Sequence, residues 1–174
     1  MASKVIVLVG AKGVGKSSIG RAATSQVHAC FVDAEAIAKR EFERGGGKLD
    51  DQYARRAHGA ILDAVQVAAQ RHPVVVFETT GASEHAAWVL SELRARHALR
   101  LVRVCAGRSV CTTRIAQRDR DVHVPVDPQV IEAMFDKVAS LEWPWDLTID
   151  NDGNGGIEAA IEALVSFISS DAPQ

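Results

Sequence analysis

Gly10-Ala11-Lys12-Gly13-Val14-Gly15-Lys16-Ser17 decides how the rest of the chain is read. The run satisfies the pattern G-x-x-x-x-G-K-[ST] at every fixed position. It follows Val5-Ile6-Val7-Leu8-Val9, an apolar stretch of the kind that forms a buried parallel strand. It precedes a segment, 15–26, that reads as a helix. Glycines let the backbone curl so that successive N–H groups point at phosphate oxygens, and the helix N-terminus adds partial positive charge. Lys16 is expected to reach the β- and γ-phosphates of a nucleoside triphosphate, and the Ser17 hydroxyl to bind Mg²⁺. Ser18, next along the helix, joins the nucleotide-binding set. Lys12 occupies a variable position, where it either touches phosphate or faces water.

Working outward, 174 residues suffice for one domain with a proper core, and a single domain over 1–174 is expected. Hydrophobic content of 47% and charged content of 24% are ordinary for a soluble protein. A net charge of −2 provides no global basic field for nucleic acid. The five Phe and one Tyr do not cluster as base-stacking platforms would. Cys30, Cys105 and Cys111 lack metal-ligand spacing, and Cys30 and Cys105 read as small core residues. No basic-then-apolar leader and no long apolar run is present, so a cytoplasmic setting is expected.

Five strands are expected, at 4–9, 30–33, 74–78, 99–106 and 146–150, alternating with helices. That alternation implies an α/β domain: helices on both faces of a five-stranded parallel sheet, in a three-layer sandwich. Ser83 is placed to cap a helix running to about residue 97. Ile157, Ala160, Ile161, Leu164, Val165 and Ile168 form the apolar stripe of a last helix. A longer helical stretch, 53–70, is expected to be interrupted at Gly59. Gly45-Gly46-Gly47 reads as a loop, and Trp143-Pro144-Trp145 as a packing corner.

In open parallel sheets, ligands bind beyond the carboxyl ends of the strands. Phe31-Val32-Asp33-Ala34-Glu35 ends the second strand. If the chain stays extended through Glu35, both carboxylates face one side, to take the proton of a substrate hydroxyl, bind hydrated Mg²⁺ or hydrogen-bond further hydroxyls. The alternative is that Glu35 opens the next helix and complements its dipole. Val74-Val75-Val76-Phe77-Glu78 has the form of a strand whose terminal acid holds Mg²⁺ through water. Thr79-Thr80-Gly81 then bring hydroxyls and bare backbone towards the same edge.

These residues resemble the small P-loop kinases of the shikimate kinase and gluconate kinase type, a branch of the P-loop NTPase fold. The resemblance covers most of the chain and is strongest at Gly10–Ser17. It implies that Asp33 and Glu35 hold Mg²⁺ and the acceptor's hydroxyls, with Glu35 standing where shikimate kinases carry a second Asp. It also implies a substrate-binding helical segment over 34–72, in which Arg55 or Arg56 grips the acceptor. Thr79-Thr80-Gly81 stands in place of a triple glycine and looks more like broader kinases of varied hydroxyl groups. A short lid over 114–126 is similar to the family's, with Arg114, Arg118 and Arg120 as candidates to close over ATP, Arg118 foremost. Arg114 and Arg118 are four apart and are expected to share a helix face. Asn151, after the fifth strand, falls in a loop resembling the one that holds adenine. His123, within the lid, reads as solvent-exposed.

The resulting expectation is an ATP- and Mg²⁺-dependent phosphotransferase acting on a small hydroxylated metabolite, with Lys16, Asp33 and Arg118 as its catalytic residues. It would be a monomer or homodimer without membrane or nucleic-acid partners. Two rivals stand beside it: a nucleotide, polynucleotide or sugar-nucleotide kinase, and a non-enzymatic ATP-binding regulator.

Overall fold

β-Branched and aliphatic side chains fill the strand Lys4–Val9 (β1), and residues 5–9 are almost wholly shielded from solvent. In the computed structural model, which describes residues 3–118, 123–153 and 156–170, β1 lies at the centre of a five-stranded parallel sheet. The other strands are Cys30–Val32 (β2), Val74–Thr79 (β3), Ala98–Cys105 (β4) and Leu147–Asp150 (β5), in the order β2-β3-β1-β4-β5. The register sets Val9 beside Thr79 on one side and Arg103 on the other.

Alternation along each strand divides the core in two. Ile6 and Leu8 of β1 join Val74 and Val76 of β3 beneath the helices Lys16–Thr24 (α1) and Gly156–Ser170 (α7). Val5, Val7 and Val9 join Val75 and Phe77 beneath the helices Ala34–Arg44 (α2), Asp51–Ala69 (α3) and Glu84–Arg94 (α4). Each such side chain, fully buried, contributes about 1.5–3 kcal/mol. The three layers and the parallel sheet are those expected, and the stripe of α7 buries Ala160, Leu164 and Ile168. Two further helices, Arg108–Ala116 (α5) and Pro128–Ala139 (α6), follow β4.

Several local expectations are corrected. β2 stops at Val32, because Asp33 leaves the strand to cap α2, its carboxylate accepting from the Ala36 N–H. Glu35 therefore sits in the first turn of a helix and not in extended chain. α3 runs without interruption through Gly59, held by the buried Ala57, Ile61, Leu62 and Val65. α5 ends at Ala116, so Arg118 lies in the turn beyond it and shares no helix face with Arg114. Cys30 and Cys105 are only partly buried, and Cys111 is the fully buried one. Ser83 caps α4 as expected. Trp143 and Trp145 stack at 5.5 Å between ring centroids against the α2–α4 side of the core.

Candidate active site

The phosphate loop joins β1 to α1, and two of its glycines have reasons to be glycine. Gly13 has φ +88, and a Cβ there would lie 2.6 Å from the Cys111 carbonyl oxygen of α5. Gly15, the residue before α1, has φ +96 and would meet the Asn151 amide nitrogen at 2.5 Å. Among the described residues no side chain caps α1, so its first N–H groups face the loop's hollow.

Two long-range contacts brace the loop. Arg114 of α5 donates to the Gly13 carbonyl at 3.3 Å and the Asn151 carbonyl at 3.0 Å. The Asn151 side chain, 2% exposed, donates to the Val14 carbonyl at 2.8 Å. Arg114 and Asn151, expected at the nucleotide, thus hold the loop's backbone. Gly10, Ala11, Lys12, Val14, Ser17 and Ser18 occupy the loop and the first turn of α1 as the sequence implies.

Lys16 is buried, its ammonium donating to the carbonyls of Gly10 at 2.9 Å and Ala11 at 3.0 Å. Burial pushes its pKa below the ordinary lysine value, with Glu78 and then Glu35 pulling it back up. Glu78, at the end of β3, accepts a 2.6 Å hydrogen bond from the Ser17 hydroxyl. Burial raises the Glu78 pKa, against the pull of Lys16 and of the Ser17 bond. Ser17 and Glu78 are hard oxygen donors meeting beside the phosphate loop, 2.6 Å apart. That pair fits Mg²⁺. Among the described residues no group of three or more His, Cys, Asp or Glu could hold a metal unaided.

Beside this centre stands the second acidic element. Asp33 forms a hydrogen-bonded ion pair with Arg21 of α1. The Glu35 carboxylate gathers His123 Nδ1 at 2.8 Å, Lys12 Nζ at 3.2 Å and Arg118 Nη1 at 3.8 Å. Burial works to raise the Glu35 pKa, but Lys12, His123 and Arg118 together bring it down to about 2. A cavity of about 370 Å³ opens alongside, lined by Lys12, Ile115, Arg118, His123, Val126 and Ile131.

The remaining acceptor candidates are dispersed. Arg55 is exposed and paired with Asp51 at 2.7 Å, and Arg56 faces the buried Glu41 at 3.9 Å. Thr79 accepts from the Gly81 N–H at 3.1 Å, which fixes the turn after β3. Thr80 borders a separate hollow with Ser83 and Met134. Arg120 lies outside the described residues. Arg21 is the site residue that sequence reasoning missed, and His123, expected at the surface, instead packs against Glu35. Both gain their place through partners distant in sequence, and neither carries a local signal.

A phosphate loop at the central strand of this sheet, with an acid at the tip of the neighbouring strand, defines a P-loop protein with the small-kinase fold. A family model described as an AAA domain matches residues 5–141, and the chain belongs to that family. Its fold is similar to that of a provisionally assigned kinase from Chloroflexus aurantiacus (TM-score 0.71, 18% identity, covering 99% of this chain and 100% of that one). It is also similar to shikimate kinase from Acinetobacter baumannii in complex with shikimate (TM-score 0.65, 18% identity, covering 98% and 96%). APS kinase from Mycobacterium tuberculosis, in complex with AMPPNP and APS, superposes with a TM-score of 0.63 at 13% identity, covering 97% and 98%. At these identities the likeness establishes the fold. No curated protein matches the chain. Among the described residues no helix is long and apolar enough to cross a membrane.

Proposed function

We propose that this protein transfers the γ-phosphoryl group of ATP to a hydroxyl of a small hydroxylated metabolite, as a single domain with 34–72 as the acceptor wall and 114–126 as a lid. The observation that carries the reading is the convergence of three groups on one sheet edge. Lys16 lies in the phosphate loop, Glu78 is bonded to Ser17, and Glu35 stands 3.8 Å from Arg118, two residues along from Asp33. A protein that only bound nucleotide would not need acids to activate an acceptor. The kinases whose fold it shares add support at the level of reaction class.

In this reading the loop amides and Lys16 hold the β- and γ-phosphates. Ser17 and Glu78 would hold Mg²⁺, which when bound neutralises phosphate charge. Asp33 orients the acceptor hydroxyl and takes its proton as the oxygen bonds to the γ-phosphorus. The bond from that phosphorus to the bridging oxygen breaks, and ADP leaves. Arg118 compensates charge on the group in transit, and Arg114 keeps the loop in shape. Positioning and charge neutralisation do most of the catalytic work.

Lys16→Ala tests the reading. Wild type, offered ATP and a broad panel of hydroxylated metabolites including gluconate and shikimate, should phosphorylate at least one. The variant should phosphorylate none while keeping its circular dichroism, which shows that the loss is of chemistry and not of fold. Transfer at the wild-type rate by Lys16→Ala, or intact ATP across the whole wild-type panel, would overturn it.

A further inference from the structure

One oxygen of Glu35 attracts three cationic or protonatable groups from three different places: Lys12 from the phosphate loop, Arg118 from the turn after α5, and His123 from the approach to α6. The side chains are between 19% and 30% exposed, so water screens these contacts only in part. A carboxylate oxygen that collects donors in this way makes the contacts a phosphate oxygen makes. Lys12, His123 and Arg118 hold the Glu35 carboxyl well below the ordinary carboxylate value, at about 2. Lys16 feels the same carboxylate without touching it, its ammonium being engaged by the Gly10 and Ala11 carbonyls.

Accepting the proposed function in one respect, that Lys12 and Arg118 meet the nucleotide's phosphates, we propose that the Glu35 carboxylate competes with those phosphates for the two cations. Glu35 is then an internal counter-ion that weakens nucleotide binding. The nucleotide must draw Lys12 and Arg118 away from it. An acceptor hydroxyl that donates to Glu35 lowers the cost of that exchange, so acceptor and nucleotide bind with positive coupling. His123 is a positioning residue in this device: it holds the carboxylate on the loop side, where the competition takes place.

The test is the affinity for AMPPNP with Mg²⁺, measured by calorimetry on the full chain. Glu35→Gln should lower Kd by about fivefold or more, since Lys12 and Arg118 lose their competitor. Glu35→Asp keeps the charge but draws it back by one methylene from all three partners, and should lower Kd by about twofold to threefold. An unchanged or raised Kd in both variants overturns the proposal. A lower Kd in Glu35→Gln with none in Glu35→Asp also overturns it, because bulk charge and not contact would then be responsible. Should Glu35→Gln fail to fold, Glu35→Asp decides alone. A wild type that does not bind AMPPNP removes the nucleotide reading itself, and an unresponsive Kd with intact phosphotransfer removes only this inference.

Discussion

Glu78 and Lys16 carry opposite charges into one buried corner, and burial works against both. For Glu78 the consequence is a dependence of stability on pH. Between the ordinary carboxylate value of 4.5 and the raised folded value, the folded protein keeps a proton that the unfolded chain has lost. Stability therefore falls as pH rises through that window. Glu78→Gln removes the group, so its melting temperature should exceed that of wild type at about pH 8 and converge with it below about pH 4. Calorimetry across that range checks this, and a variant less stable than wild type at the alkaline end would contradict it. Lys16, Ser17 and Glu78 were legible in the sequence because a local pattern carries each: a loop motif for two, an apolar run with a terminal acid for the third. The environment of Glu35 was not. Its partner His123 sits in another segment, and no composition or spacing links the two.

At the scale of elements, packing and capping decided what local propensity left open. Gly59 costs about 1 kcal/mol relative to alanine in a helix interior, and that cost suggested a break. The buried face of α3 outweighs it. Nothing lies within 4 Å of a Cβ built at Gly59, so the penalty is still there to be recovered. Gly59→Ala should raise the unfolding free energy by about 0.5–1 kcal/mol in urea titration; a loss of stability would contradict this. Asp33 shows the opposite lesson. An Asp before an Ala-rich amphipathic run is a helix-start signal, but at the end of an apolar strand the same residue also fits the strand's last position. Asp127 with Pro128 carries the same kind of signal for α6, its carboxylate accepting from the Gln129 N–H at 2.7 Å.

At the scale of the whole molecule, the class of sheet was readable from strands without strict alternation, but the strand order was not, since no local pattern says which strand takes the centre. The order matters because it places the phosphate loop between the tips of β3 and β4, where Glu78 and α5 can reach it. Binding there should stabilise the whole fold. Mg²⁺ with AMPPNP at about a hundred times Kd should add about 2.7 kcal/mol, a rise of about 5–10 °C in melting temperature for a chain of this size. A thermal scan with and without the nucleotide reads this directly, and Lys16→Ala should show little of the rise. The bracing of the loop also bears on the order of events during synthesis. Gly10–Ser17 leaves the ribosome well before its braces: the carbonyls of Gly13 and Val14 wait for Arg114 and Asn151, 101 and 137 residues further along. A nascent chain has its phosphate loop long before it has the parts that hold that loop in shape. ATP would therefore find no finished cradle until Asn151 has emerged.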